Sequence, residues 1–517
     1  MTTLLLDPDA LSPSSHQIFT ASRLDLNLPQ PPRRFFRHGW QSWTLAAWLD
    51  PREPPLPIRA PEFRAKDEDP AYAFHKNHVS AWVGAAELAE NDILLIGALG
   101  LSGRIEVSGS ALKGFYEDNH QGEWLVARGR EDEVFAKYAA LLEAKFGRTR
   151  FEKPPRVWCS WYSLYKWIDE TVLTKALHGL GNLPFDVFQI DDGWEDESGH
   201  WEAGKNFPGG MAAFAEKIKA TGRTAGIWLS PFIVTPNLGI FREHHDWILR
   251  DEQGNLVTAG RNWTGTTYAL DVTHPAVLEW LDKLIRKVVG WGYGYLKLDF
   301  LYAGAAIGKR YKDMPREEAY RNALKVMREA AGDAYILACG APIVPSLGLC
   351  DGIRIGPDVT PYWLNRALSV WLNNPNDPAT QNAIRTSLHR LWLKPLVHID
   401  PDVLFFRTRW NALTPHENQL LQDLGTLTGF KATSDLPWWW KPSEREKVRE
   451  FLETAPKVQK LKRYCYQIDG RVADFSPAIP ISTSHLDFPV WLARNWGILK
   501  IVQHQALPAI LAQRLHR

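Results

Sequence analysis

The sequence predicts an α/β fold: a (β/α)8 TIM barrel flanked by an N-terminal β-sandwich-like domain and a small C-terminal β domain. Two patterns carry the prediction. In the middle of the chain, apolar runs of strand length alternate with amphipathic helical stretches, and there are eight such runs, the number a closed parallel barrel needs. Before and after that stretch, short strand-like runs follow one another through turn residues with little helical periodicity between them.

The N-terminal domain is placed at residues 1–150. Residues 93–99 form an apolar run and residues 103–109 alternate, which reads as antiparallel β. A helical stretch over 131–145 follows, and Pro154-Pro155 marks the junction. The barrel is placed at 151–455, with strands expected at 156–163, 185–191, 224–230, 294–300, 334–339, 352–355, 395–399 and 426–431. A helix over 275–289 puts Val277, Leu281, Leu284 and Val288 on one face, with Thr273 as N-cap, Pro275 in the first turn and Gly290 as the stop. A second, over 317–331, ends at Gly332. Residues 456–517 return to short β-like runs and a polar tail.

Composition narrows the function. Sixty Lys+Arg against 59 Asp+Glu leave a net charge of +1, which argues against nucleic acid as a partner. Twenty-four Trp exceed what core packing requires, and without a basic excess exposed indole faces favour sugars over nucleobases. Cys159, Cys339, Cys350 and Cys465 are widely spaced, so they predict neither a disulfide framework nor a zinc knuckle and fit a cytoplasmic setting. Leu4-Leu5-Leu6 is too short for a signal segment, and no window is long and apolar enough for a membrane span. The sequon at Asn262-Trp263-Thr264 reads as incidental.

In a barrel of this kind the chemistry sits at the carboxyl ends of the strands. The polar residues there are Asp191-Asp192, Lys297, Asp299, Cys339, Arg354, Asp358, His398, Asp400 and Asp402, with Trp161, Trp194 and Trp228 among them. One His among so many carboxylates, without HxH or HExxH spacing, does not make a metal site. The run from Gly304 to Arg310 is one residue short of a P-loop and has Arg where Ser or Thr would bind magnesium.

Glycoside hydrolysis fits better, because it needs two carboxylates flanking an anomeric carbon and polar groups that read hydroxyls. Lys297, two residues before Asp299, shares its side of the strand. It either keeps Asp299 ionised as a nucleophile or forms a buried pair that closes the barrel. Asp358 follows a Gly-Pro turn, where it is either a protonated carboxyl over the leaving oxygen or simple turn chemistry. Asp191-Asp192 either accept from vicinal sugar hydroxyls or cap the next helix. His398, Asp400 and Asp402 read as structural support. The Trp residues are pocket walls or core.

Taken together, Trp158-Cys159-Ser160-Trp161, Ile190-Asp191-Asp192-Gly193-Trp194, Gly226-Ile227-Trp228-Leu229-Ser230-Pro231, Tyr295-Leu296-Lys297-Leu298-Asp299, Cys339-Gly340 and Arg354 with Asp358 resemble, in order and spacing, the retaining α-galactosidases of glycoside hydrolase family 36, in the clan shared with family 27. Gly39-Trp40-Gln41-Ser42-Trp43 also resembles a family motif. The resemblance implies Asp299 as nucleophile and Asp358 as general acid, then base. It implies Asp191 and Asp192 on O4 and O6, Lys297 on O3 and O4, Arg354 and Cys339 around the 2-hydroxyl, and Trp161 and Trp228 shaping the pocket. It adds one N-terminal Trp, Trp43 or Trp40, at the site. No metal or organic cofactor is implied. The implied substrate is an oligosaccharide such as melibiose or raffinose, cut from its terminal α-galactosyl end. Homo-oligomers are usual in the family, but this chain is much shorter, chiefly in its N-terminal domain. The segment from Cys339 to Pro342 lacks the Gly-rich run of many members. An α-N-acetylgalactosaminidase and a raffinose-synthase-like galactosyltransferase are therefore kept as alternatives, with a non-catalytic carbohydrate-binding protein as the reading from another class.

Overall fold

The computed structural model describes residues 3–6, 14–55, 58, 65–195, 197, 199–262, 265–364 and 374–481. Two sheets come first. One has five strands in the spatial order Thr3–Leu6, Arg23–Asn27, Ala111–Tyr116, Gly103–Ser108, His78–Ala81. The other has six: Ser15–Ala21, Gly122–Gly129, Asp92–Ala98, Val83–Ala89, Arg34–Arg37, Ala47–Leu49. Thr3–Leu6 joins Arg23–Asn27 in parallel, and the remaining pairs are antiparallel.

Leu24, Leu26, Ile105 and Val107 of the first sheet pack with Leu94, Ile96, Trp124 and Val126 of the second, so the sheets face each other as a sandwich. Ile93 and Leu95 point the other way, into a second core with Phe135, Tyr138 and Leu142 of the helix Glu131–Phe146. That strand is buried on both faces, which is why its sequence runs apolar instead of alternating.

Eight parallel strands follow: Arg156–Cys159, Val187–Ile190, Thr224–Leu229, Tyr295–Leu298, Tyr335–Ala338, Gly352–Arg354, His398–Asp400 and Lys431–Thr433. Each of the first six pairs with its successor, and Lys431–Thr433 pairs with Arg156–Cys159. Leu404 completes the ring by bridging Thr433 in parallel and donating its N–H to the Ala432 carbonyl at 2.8 Å.

Three expectations shift. The first strand stops at Cys159, because Trp161–Leu164 coils into a short helix. Residues 426–428 belong to the helix Pro415–Thr428, which Gly429 terminates, so the eighth strand lies just beyond at Lys431–Thr433. The helix Pro275–Gly290 is capped by His274, whose ring accepts from Ala276 N, while the Thr273 hydroxyl is spent on Asp271. Gly290 is the last helical residue of that helix, and Trp291 is its C-cap.

A three-stranded antiparallel sheet, Val458–Lys462, Cys465–Ile468 and Arg471–Asp474, ends the described chain. Residues 482–517 of the expected C-terminal domain lie outside the described residues, as do Trp263 and Thr264 of the sequon. Among the described residues no helix is long and apolar enough to cross a membrane. The four cysteines are buried and free.

Two buried charges dock the sandwich on the barrel. Glu317, on the helix Arg316–Ala331, is fully buried and accepts from the Trp40 indole at 3.0 Å, the Trp82 indole at 2.9 Å, Ser102 N at 2.7 Å and Arg104 Nη2 at 2.7 Å. Arg390 donates to the carbonyls of Gly39 (3.1 Å), Gln41 (2.8 Å) and Thr44 (2.9 Å), and also to Ser42 O. The loop between Arg34–Arg37 and Ala47–Leu49 is thereby fixed to the barrel by its main chain.

Candidate active site

The carboxyl ends of the barrel strands bring the predicted residues onto one rim. Asp299 follows Tyr295–Leu298, a strand with all four side chains buried. Its N–H continues the ladder to Leu229 O at 2.7 Å, which fixes where its side chain emerges. Oδ1 accepts from Phe300 N at 2.8 Å and Oδ2 from the Trp228 indole at 2.9 Å. Trp228 therefore acts on this site through its N–H. Trp194 is fully buried and donates to Trp228 O at 2.9 Å, so it is core and not a pocket wall.

Lys297 is placed beside Asp299 as expected, but its ion pair is with another residue. Its Nζ lies 2.8 Å from Asp191 Oδ2, with both side chains buried. Burial works against the ammonium, and Asp191, with Cys159 and Asp299 beyond it, outweighs burial and holds Lys297 well above the ordinary lysine range. Asp191 Oδ2 also accepts from Gln189 Nε2 at 2.6 Å and from the Cys159 thiol at 3.4 Å, while Oδ1 accepts from Asp192 N at 3.0 Å. The adjacent carboxylates Asp191 and Asp192 are thus set up differently: one is saturated with donors behind the rim, and the other is buried next to Glu195. Burial, then Asp192, raises the Glu195 carboxyl well above its usual range.

Arg354 is enclosed by three carboxylates. Nε lies 3.1 Å from Asp400, Nη2 2.9 Å from Asp402 and Nη1 3.2 Å from Asp358. Asp358 is the open member of the set, its side chain 39% exposed against 3% and 0% for Asp400 and Asp402. Cys339 is buried; burial first, then Asp299, pushes its thiol well up, and Arg354, Lys297 and Asp358 also act on it. Among the described residues no group of three or more His, Cys, Asp or Glu is arranged to hold a metal ion.

The two N-terminal Trp candidates separate. Trp40 is spent on Glu317 at the docking surface, under the Arg316 guanidinium. Trp43 crosses to the rim: it meets Phe300 edge-on at 5.4 Å and Tyr302 at 6.0 Å. It also overlies Gly340, where a Cβ would come within 2.9 Å of the indole and where φ is +56°. Trp161, half-buried, packs edge-on against Tyr165 at 5.3 Å.

Sequence reading missed Gln189 and Lys66. Gln189 shares a strand side with Asp191 at i−2, the signal used for Lys297 and Asp299. Lys66 sits over the Trp43 ring at 5.5 Å and 3.7 Å from Asp67 Oδ1. Burial opposes its charge, and Asp67, then Asp358, Asp377 and Asp299, raise it. No local pattern marks Lys66.

Known proteins resemble this chain in sequence and fold. The melibiase family profile matches residues 128–330. The α-galactosidase TtGalA from Thermus thermophilus, solved in complex with p-nitrophenyl α-D-galactopyranoside, superposes with a TM-score of 0.85 at 43% identity, covering 90% of this chain and 97% of that one. This chain belongs to the family 36 α-galactosidases. The same Thermus enzyme was also solved in complex with stachyose. The family 36 α-galactosidase AgaA from Geobacillus stearothermophilus shares the fold, with a TM-score of 0.57 at 14% identity over 83% of this chain and 61% of that one. By sequence, AgaA is 25% identical over 204 residues, which is 37% of this chain and 27% of AgaA. The chain therefore spans about a quarter of the length of that curated relative.

Proposed function

We propose that this protein is an exo-acting retaining α-galactosidase that releases terminal α-D-galactosyl residues from oligosaccharides such as melibiose and raffinose by double displacement. The observation that carries the reading is the contrast between its two carboxylates. Asp299 is held by two N–H donors at the end of a buried strand, and Asp358 is solvent-facing on a turn with one guanidinium contact at 3.2 Å. Asp299 attacks the anomeric carbon as the glycosidic C–O bond breaks, and Asp358 gives its proton to the departing oxygen. Asp358 then takes a proton from water, whose oxygen displaces Asp299 and restores the α-configuration.

In this reading Asp191, Asp192 and Lys297 accept from and donate to the galactose 3-, 4- and 6-hydroxyls. Arg354 and Cys339 border the 2-hydroxyl, and Trp161 and Trp43 wall the pocket. Stachyose in the Thermus relative supports an oligosaccharide substrate. The reading also takes residues 1–150, 151–455 and 456–517 as the domains, and assembly as a homo-oligomer. Four buried free thiols fit a cytoplasmic setting.

Turnover of para-nitrophenyl α-galactoside beside its α-N-acetylgalactosaminide and α-glucoside tests it. The galactoside is expected to lead the other two by about 100-fold or more in kcat/KM. Preference for the N-acetylated sugar would make the protein an α-N-acetylgalactosaminidase. Sugar binding without turnover would make it a non-catalytic binder.

A further inference from the structure

Asp402 has no role in the double displacement as written, yet both of its carboxylate oxygens are fully engaged. It is fully buried, with a left-handed backbone (φ +85°), a conformation a non-glycine residue holds only when its surroundings enforce it. Oδ1 accepts from Val403 N at 2.8 Å and lies 2.9 Å from Arg354 Nη2. Oδ2 accepts from Val359 N at 2.9 Å and from the Tyr162 hydroxyl.

Val359 directly follows Asp358. Asp402 therefore grips Asp358 twice, through the peptide N–H on its C-terminal side and, by way of Arg354, through its side-chain oxygen at 3.2 Å. Tyr162 completes the set: its hydroxyl is 3.5 Å from Arg354 Nη1, and its own N–H donates to Ser434 Oγ at 3.3 Å. Three carboxylates share one guanidinium, so the cluster carries more negative charge than its cation offsets. Burial pushes the Asp402 carboxyl up to about 7 against the pull of Arg354, with Asp358 and Asp400 adding to the rise.

We infer that Asp402 and Tyr162 are positioning residues for the general acid/base, holding the Asp358 loop and the Arg354 guanidinium so that the Asp358 carboxyl meets the glycosidic oxygen. The inference rests on the reading of Asp358 as acid/base. Its consequence is selective: a misplaced acid slows substrates whose leaving group needs a proton and spares those whose leaving group departs unaided.

The test compares kcat/KM on melibiose and on 2,4-dinitrophenyl α-galactoside for wild type, Asp358→Ala, Asp402→Asn and Tyr162→Phe. Asp358→Ala sets the scale. Asp402→Asn and Tyr162→Phe are expected to lose about tenfold more on melibiose than on the dinitrophenyl substrate, part of the 10²–10⁴ that a placed acid contributes. Azide should speed their dinitrophenyl turnover and yield α-galactosyl azide. Equal losses on both substrates in both variants would overturn the inference and leave the pair as fold residues. An Asp358→Ala variant without any leaving-group dependence would instead overturn the acid/base reading itself. If Asp402→Asn does not fold, Tyr162→Phe, which removes one hydroxyl, decides alone.

Discussion

Asp299 and Asp358 are the same side chain in opposite surroundings. Asp299 ends a strand whose residues are buried throughout, and both of its oxygens are occupied by N–H donors that the fold cannot easily move. Asp358 sits past Gly356-Pro357, 39% exposed, with a single ion pair among the described residues. Under the proposed roles, the group that attacks and must stay aligned is built into the sheet, whereas the group that would trade a proton with the leaving oxygen and with water lies past a Gly-Pro bend in contact with solvent. The division of labour is written in the local structure, not in the residue type.

The largest effects separate the two. Asp299→Ala is expected to lower kcat on every galactoside by on the order of 10⁴-fold or more, with azide restoring turnover as the inverted β-galactosyl azide. Asp358→Ala is expected to lose about 10²–10⁴-fold, and mainly on unactivated substrates. Equal sensitivity to leaving group in the two variants would break the comparison.

Trp228→Phe removes one of the two donors to Asp299 while keeping an aromatic ring in the core. A hydrogen bond to a charged group is worth about 1.5–3 kcal/mol, so kcat should fall roughly 10- to 100-fold with KM little changed. A variant indistinguishable from wild type would mean that Phe300 N–H alone fixes the nucleophile.

The last effect concerns acid and needs no substitution, leaving activity near neutral pH unchanged. Burial lowers His78 to about 4 and His389 to about 3, and His38 falls well below its ordinary value from burial with Arg390 adding to it. Each remains neutral in the fold but protonates near 6.5 in the unfolded chain. Their contribution is intact above that value and is lost as pH falls from about 6.5 toward 3, at up to roughly 1.4 kcal/mol per pH unit for each group. Thermal unfolding followed across that range should therefore show Tm falling with acid, and an acid limb in activity that tracks Tm belongs to the fold and not to Asp358.

The strand runs and the rim were legible because buried parallel strands are apolar throughout and polar residues at their ends stand out against them. Residues 161–164 and 426–428 misled because Trp, Tyr, Leu and Thr serve helix ends as readily as strands, and only Gly429 marks the true stop. Lys297 was placed on the right side of its strand. Its partner depended on which strands are neighbours, since Trp228 aligns with Lys297 and Gln189 with Gly226, bringing Asp191 within reach. Lys66 and the two grips of Asp402 on Asp358 arise only when distant segments meet, so no window of sequence contains them.

Arg390 pins the loop that carries Trp43 through main-chain carbonyls, and Glu317 clamps the sandwich to the barrel through two indoles and a guanidinium. The rim next to Trp43 is therefore complete only where the sandwich is seated on the barrel. In effect the wall at Trp43 is borrowed: any displacement of the sandwich from the barrel would withdraw this ring from Phe300, Tyr302 and Gly340 and leave the rim open on that side.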